Sequence, residues 1–469
     1  MAIDEFAIPS YIKDKIKELG YTIPDSMASH IQQWYSWYTG SNSFYQVSYI
    51  STDRSKKTRS RYSLRPARKV CKEWASLILN EDTQISVKDE QANKWLSEFL
   101  EKTGFWFLGQ MTIEKAFAMG TAAWALWFNI YESAVVDIKI RRYDARMIIP
   151  LSWDEDGVTE CAFVTRVTIK GKQYNQLQIH ASDEEDGGNY HIKTYLFDKN
   201  GKEVDAESLG FIDDFNTRQK YQTFGIVKPG LDNVVADLSP YGISVFYDAL
   251  DSIKATDLSW DSIFQEVDLT RIRVFLDESM IDIKNEHGEK IPVADIEDMV
   301  YRMVYKNDDN GKLIDVFSPN IRIDPLKDAL NIALSQLGDN CGFGEQYFQI
   351  GKTGGLKTAT EVVSDNSVLM RNVRKHEKSV GKAITDVITG LMSCAKANNY
   401  ADFDTDFGAV DVKFDDSVIT DTQTEKNLML NEIAAGVVPK WMYLATFYGK
   451  TEEEARQAVG DQQFVDEGF

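Results

Sequence analysis

Apolar side chains recur at steps of three or four from 356 to about 398. They are Val362, Val363, Leu369, Met370, Val373, Val380, Ile384, Val387, Ile388, Leu391 and Met392, with no proline among them. That period predicts the longest helix of the chain. At 1.5 Å per residue, some forty residues make a rod of roughly 60 Å, about twice the width of a small domain. A rod that long spans several layers of a larger object. Gly381 and Gly390 lie inside it and mark bends or close contacts. Ahead of it runs a glycine-rich loop, 340–355, reading NCGFGEQYFQIGKTGG. Two readings stand: a spine with a mobile loop at its head, or a core helix behind a surface loop.

The same period predicts short helices over 9–19 (Tyr11, Ile12, Ile16, Leu19) and 25–38 (Ile31, Trp34, Tyr35, Tyr38), each stopped by a glycine. Two more are expected over 89–102 and 105–119, parted at Gly104. From 121 the period changes to two. Strands are predicted over 122–130, 135–140, 147–151, 158–169, 173–182 and 190–197, with turns at 156–157, 170–171, 186–188 and 200–201, an antiparallel meander. After a poorly patterned stretch, Ser239 as N-cap and Pro240 at the first helical position open a second long helix to about 268. A small α/β insert follows: strands 271–276 and 281–284, a turn at 287–288, a helix 293–304 and a strand 312–317. Asp324-Pro325 repeats the start device for a third helix, ended by Gly338. The helices on either side of the insert are read as antiparallel, which puts the insert at the tip of a stalk. A returning strand at 410–414 and helices over 422–435, 439–447 and 451–459 complete an α+β, multi-domain chain; Thr451 with Glu454 forms a capping box.

Length and composition narrow this picture. A chain of 469 residues holds roughly two to four domains, and 43% hydrophobic with 12% aromatic content marks it as globular. Cys71, Cys161, Cys341 and Cys394 are far apart without a CxxC pair, so neither a disulfide framework nor structural zinc is expected. His180 and His191 approach across a hairpin, but without a third ligand they read as structural. Neither a signal peptide nor an apolar run of membrane length is found, so a soluble, reducing compartment and no membrane are expected. The net charge of −21 argues against counterion-release binding of nucleic acid over most of the surface, yet suits a passage through which DNA slides. Against that charge stands one basic segment over 54–69, with Arg54, Lys56, Lys57, Arg59, Arg61, Arg65 and Arg68 and no acid inside it. It reads as a solvated arm, or as a segment that meets an acidic neighbour or nucleic acid.

Enzyme motifs fail on inspection. Gly351-Lys352-Thr353 ends like a P-loop, but Gln346 replaces the required first glycine. Gly342 and Gly344 lack the third glycine of a dinucleotide fingerprint, where Tyr347 stands. Asp402, Asp404 and Asp406 open like an EF-hand loop, but Phe407 and Lys413 occupy the turn-glycine and bidentate positions. Neither GxSxG nor HExxH occurs. No catalytic residue, cofactor or metal is expected.

With the element order in hand, the chain resembles the portal proteins of tailed phages, of the type found in long-tailed phages of Gram-positive hosts. Four stretches carry the resemblance: RPARKVCKEWASLILNE at 65–81, SPYGISVFYDALDSIKATDLSWDSIFQE at 239–266, RIRVF at 271–275 and KTATEV at 357–362. They are similar to the family's N-terminal segment, its stem helix, the strand entering its clip and the helix behind its tunnel loop. Together with the element order they cover nearly the whole chain. The resemblance implies a ring, typically of twelve subunits, at one capsid vertex. Double-stranded DNA would be pumped in by the terminase large subunit and leave by the same channel. The implied partners are further copies of the chain, a head–tail adaptor, and the major capsid and scaffolding proteins; the implied location is the virion, after assembly in the host cytoplasm.

Mapped on this sequence, the resemblance implies a wing at 1–238, stem helices at 239–269 and 324–339, and a clip at 270–323. It further implies a tunnel loop at 340–356, a spine helix at 357–400, a wing strand at 401–420 and a crown at 421–469. Phe343, Gln346, Tyr347, Gln349, Lys352, Thr353 and Lys357 would line the DNA channel; Arg271, Arg273, Asp282, Lys284 and Glu286 would meet the adaptor or terminase. Two other classes stay open: another head–tail connector or minor capsid protein, usually shorter and without a stalk, and an enzyme with an unfamiliar acidic site.

Overall fold

The computed structural model describes residues 8–24, 26–50, 54–80, 82–131, 134–277, 300–303, 314–351, 359–403, 406–415, 422–448 and 451–459. In chain order the elements are α1 (Ser10–Glu18), α2 (Ala28–Thr39), β1 (Gln46–Ile50), β2 (Lys56–Ser60), α3 (Pro66–Ile78), β3 (Gln84–Ser86), α4 (Glu90–Thr103) and α5 (Phe105–Met119). Then come β4 (Ala122–Tyr131), β5 (Ala134–Asp144), β6 (Ile148–Trp153), β7 (Val158–Ile169), β8 (Lys172–Asp183) and β9 (Asn189–Phe197). Short strands β10 (Glu203–Val204), β11 (Asp214–Asn216) and β12 (Phe224–Val227) follow, then α6 (Leu250–Leu269), β13 (Arg273–Asp277), β14 (Val300–Met303) and β15 (Ile314–Phe317). The chain continues through α7 (Ile323–Asn340), α8 (Ala359–Ala397), β16 (Asp411–Lys413), α9 (Thr422–Ala434), α10 (Lys440–Tyr448) and α11 (Glu452–Val459). Contacts divide it into two units, one of residues 1–3, 32–70 and 245–352, the other of 4–31, 71–244 and 353–469.

The larger unit is layered. The six expected strands all form, but they do not make one meander. β4 pairs with β5 on one side and β12 on the other in one sheet; β6 to β9 run on in a second sheet, extended by β10 and β11. The alternation that marks a strand says which residues face a core and not which sheet they join, so the break at Ala145–Met147 was invisible. Ala123 and Ala125 of β4, Phe224 of β12, and Cys161 and Phe163 of β7 bury together between the sheets. On the other face of the second sheet, Ile12 and Ile16 of α1 pack on Leu151, Val164 and Leu177. β4 is covered on both faces, and its small alanines let both neighbours approach.

The spine helix forms as expected, 39 residues long, and crosses β12 and β4. Its Gly390 is a close contact: a Cβ there would strike the Gln222 carbonyl, just as one on Gly225 would strike the Ala383 carbonyl. The returning strand β16 pairs antiparallel with β3. At the start of α11, Thr451 N donates to Glu454 Oε2 (3.2 Å) and Glu454 N to Thr451 Oγ1 (3.3 Å), the expected capping box.

The Ser239-Pro240 start is corrected. Residues 239–249 are irregular chain, bends and turns, and helix α6 begins only at Leu250. Ser239 Oγ accepts from Tyr241 N in a local turn. Gly242 N donates to Thr121 Oγ1 (3.0 Å), Ser244 Oγ to the Phe117 carbonyl (3.3 Å) and Tyr241 OH to the Ile148 carbonyl (2.8 Å). These bonds hold the segment against Gly120, whose backbone passes so close to Gly242 that neither tolerates a side chain.

In the smaller unit α6 and α7 pack side by side. Asn340 Nδ2 at the end of α7 donates to Ser252 Oγ near the start of α6 (2.9 Å). Arg322, just before α7, holds Glu266 near the end of α6 through two bonds of 2.9 and 2.8 Å. The pair is therefore antiparallel, as expected. Helix α7 starts at Ile323 without a side-chain cap; Asp324 lies in its first turn, where a carboxylate suits the dipole. Gly338 is corrected from terminator to interior: it is buried in α7 beneath the Gly344 carbonyl. In the insert, β13 pairs antiparallel with β15 and parallel with β14. Residues 300–303, expected in a helix, are thus strand, Val300 opposite Val274. The expected strand 281–284, turn 287–288 and helix residues 293–299 lie outside the described residues.

Candidate functional site

The glycine-rich segment folds back on its own helix. Gly342 and Gly344 take positive φ (82° and 92°), which returns the chain so that Phe343 N donates to the Gly338 carbonyl at 2.8 Å. Phe343 (3% exposed) and Phe348 (6%) bury together with ring centroids 5.1 Å apart, and Lys69 Nζ lies over Phe348. Ile350 N donates to Asn331 Oδ1 and Asn331 Nδ2 to the Ile350 carbonyl, tying the end of the turn to α7. Residues 341–351 are therefore a hydrophobic cap rather than an open loop. Phe343, expected to face a channel, faces the inside of this cap. Gln346 and Tyr347 are exposed and Gln349 is half-buried; Lys352, Thr353 and Lys357 lie outside the described residues.

The basic segment divides into two sets. Arg59 grips Asp261 of α6 with both guanidinium nitrogens (2.8 and 2.7 Å), and Tyr62 N donates to the same carboxylate. One turn earlier Asp257 accepts from Tyr45 OH, Ser63 Oγ and Leu64 N, each at 2.8 Å. Burial pushes the Asp257 carboxyl up; at Asp261 burial is outweighed by Arg59, and the carboxyl goes down. Arg61 Nε donates to the Phe44 carbonyl and Arg65 to that of Gly40. Arg59, Arg61 and Arg65 thus serve the fold, and the acidic neighbour left open by the sequence lies, for Arg59, in the same chain. Arg54, Lys56 and Arg68 are exposed and Lys57 is partly so. At the insert, Arg271 pairs with Asp268 on the surface (3.0 Å) and Arg273 opens β13, while Asp282, Lys284 and Glu286 lie outside the described residues.

Sequence reasoning missed a cleft of about 1050 Å³ in the larger unit, walled by 153–159, by 228–242 and by Ser379, Lys382 and Asp386 of α8. Ser379 Oγ donates to the Lys228 carbonyl, and Lys228 Nζ to that of Pro240 at 3.2 Å. Burial, then the nearby Lys382, pushes the Lys228 ammonium pKa down; burial pushes the Asp386 carboxyl up, against Lys382 and Gln222. Trp153 Nε1 donates to the Leu238 carbonyl across the mouth. Its trace in the sequence is the spacing of Ser379, Lys382 and Asp386, at steps of three and four along α8.

His180 and His191 do not form a site. His180 is opposite Ile192 in the ladder and His191 opposite Ala181, so they point to opposite faces. His180 is buried on Thr223, and His191 bonds Asp186 and Asp214. Among the described residues no three His, Cys, Asp or Glu converge to hold a metal, and no helix is long and apolar enough to cross a membrane. All four cysteines are buried, and none is in a disulfide.

The family model described as "Phage portal protein, SPP1 Gp6-like" matches residues 22–463. No curated protein matches the chain. Among solved structures, a chain of the "Virion of native gene transfer agent (GTA) particle" is similar at 10% identity and TM-score 0.41, over 92% of this chain and 93% of that one. A chain of the "Neck of native GTA particle computed with C12 symmetry" is similar at 10% identity and TM-score 0.40, over 85% and 90%.

Proposed function

The chain belongs to the SPP1 Gp6-like phage portal protein family, and on that premise we propose that it is one subunit of a ring of twelve at a capsid vertex. Double-stranded DNA passes through that ring inward during terminase-driven packaging and outward at ejection, and the ring is the platform for head–tail adaptors. In this reading residues 239–269 and 324–339 are stem, 270–323 clip, 1–238 with 401–420 wing, 340–356 tunnel loop, 357–400 spine and 421–469 crown. The clip meets terminase and adaptor; the wing and crown meet capsid and scaffolding proteins.

The observation that carries the ring is the apolar surface left open on the smaller unit. Leu258 (49% exposed), Leu269 (60%) and Ile332 (67%) on the α6–α7 pair, and Val316 (55%) on β15, are uncovered in a single copy. Scattered exposed leucines are ordinary, but a series along one stalk marks a surface that another chain covers. Side-by-side packing of identical stalks is a heterologous contact, which ends only by closing into a ring. The net charge of −21 fits a conduit, since acidic walls release DNA rather than grip it.

Light scattering and negative-stain imaging of the purified chain test this. The expected result is a mass near twelve times 53.3 kDa and rings with a central hole; a single copy at every concentration overturns it. Because Phe343 and Phe348 are core, the channel segment is tested by deleting only 352–357. Rings should persist while packaging fails, and normal packaging would count against the tunnel-loop assignment.

A further inference from the structure

Hairpin β1–β2 has one face left exposed among the described residues. Val47, Tyr49, Lys57 and Arg59 share a face by register, and that face is anchored where Arg59 meets Asp261. Ser48, Ile50, Lys56 and Thr58 share the other, and all four are exposed, Ile50 at 77%. A two-stranded hairpin with an uncovered face is marginal in water. Its exposed end is also cationic: Arg54, Lys56 and Lys57 enter no ion pair among the described residues, and no acid occurs between 54 and 72.

The cleft of the larger unit has the opposite character. Six carboxylates and two lysines line it. Asp154, Glu155, Asp156, Asp232 and Asp237 are exposed at its rim, while Lys228 is turned onto the Pro240 carbonyl. Between the acids stand Trp153 (38% exposed), Leu231 (42%) and Leu238 (89%). An occupant must therefore bring cations and apolar side chains together.

We propose that the open face and the exposed end of β1 and β2 of one copy seat in the acid-rimmed cleft of a neighbouring copy, Ile50 of that face against Trp153 and Leu238, and Lys56 with Lys57 at the end against the rim acids. This contact rests on the ring reading above and adds to it a second, charge-steered heterologous joint between subunits. Nucleic acid is the weaker occupant for the hairpin. Three unpaired cations on a chain of net charge −21 release few counterions, and DNA offers Ile50 no apolar seat.

The test uses full-length chains. Ile50→Cys and Leu238→Cys variants, carrying different tags, are co-expressed and oxidised; the four native cysteines are buried and do not compete. The contact predicts a mixed-tag covalent dimer roughly tenfold above either variant alone. Lys56→Glu with Lys57→Glu should raise the concentration needed for rings roughly tenfold, and adding Asp232→Lys with Asp237→Lys should restore it. Circular dichroism checks that each variant folds. Rings without the mixed dimer overturn this contact and leave the ring standing, whereas a wild-type chain that makes no rings overturns both. Salt-dependent binding of duplex DNA that disappears in the double-glutamate variant, with assembly unchanged, assigns the hairpin to DNA and overturns the proposal.

Discussion

His376 accepts the Gly230 amide on Nδ1 at 2.9 Å, with the rings of Trp74 and Phe117 against it, so its single proton sits on Nε2. Protonating Nδ1 would break that bond and place a charge among aromatic rings; burial, helped by Lys375, pushes the pKa down to about 3. His180 is likewise pushed down to about 3 by burial. An unfolded imidazole titrates near 6.5, so between about pH 6.5 and 3 the unfolded chain binds more protons than the folded one. Stability present above pH 6.5 is then lost as pH falls, by at most about 1.4 kcal/mol per pH unit for each imidazole. His376→Gln keeps an acceptor for Gly230 but cannot titrate. Urea unfolding at pH 7 and pH 5 should give this variant a shallower loss of stability than wild type; equal losses would mean that the imidazole is not buried neutral.

At the scale of elements, Gly390 offers a test by sign. Glycine to alanine inside a helix normally stabilises by roughly 0.5–1 kcal/mol. Here the new methyl meets the Gln222 carbonyl, a backbone atom fixed beside β12, so Gly390→Ala should destabilise by about 1–3 kcal/mol. Gly381→Ala, which meets only the Phe414 ring at 3.1 Å, should cost less. Thermal unfolding of the two variants decides it. The sequence had marked both glycines as bends or close contacts, because a helix keeps glycine only for a reason. It also exposed the spine, the six long strands and the Thr451 cap, since period and capping are local. What it hid was set by distant partners. Ser239-Pro240 has every local mark of a helix start, yet Thr121, Phe117 and Ile148 draw that segment out of the helix. The basic segment's partner, Asp261, lies 202 residues away. The cleft is assembled from three separate stretches, and the hydrophobic cap at 341–351 depends on burying Phe343 and Phe348, which glycine counting cannot foresee.

For the molecule as a whole, net charge and interface chemistry make opposite demands. Each copy carries −21, so gathering copies around one axis sets like charges facing each other. The stalk surfaces proposed to meet are apolar, with Leu258, Leu269 and Ile332 uncovered, and their attraction does not weaken with ordinary salt. The hairpin–cleft joint is ionic and does weaken. Range decides between them. At 10 mM salt the Debye length is about 30 Å, so every subunit feels its neighbours' full charge; at 150 mM it is about 8 Å, and only groups in contact still interact. Raising salt from 10 to 150 mM should therefore increase the fraction of chains in rings, because it removes repulsion between whole copies while sparing contacts a few ångströms long. A further rise toward 1 M, where the length falls to about 3 Å, should slow assembly of the wild-type chain without breaking the apolar stalk contacts. The Lys56→Glu, Lys57→Glu variant lacks the steering and should not show that slowing. Sedimentation velocity across the salt series reads the ring fraction and mixing kinetics read the rate. A ring fraction that falls steadily from the lowest salt would show that ionic contacts, and not the apolar stalk, hold the copies together.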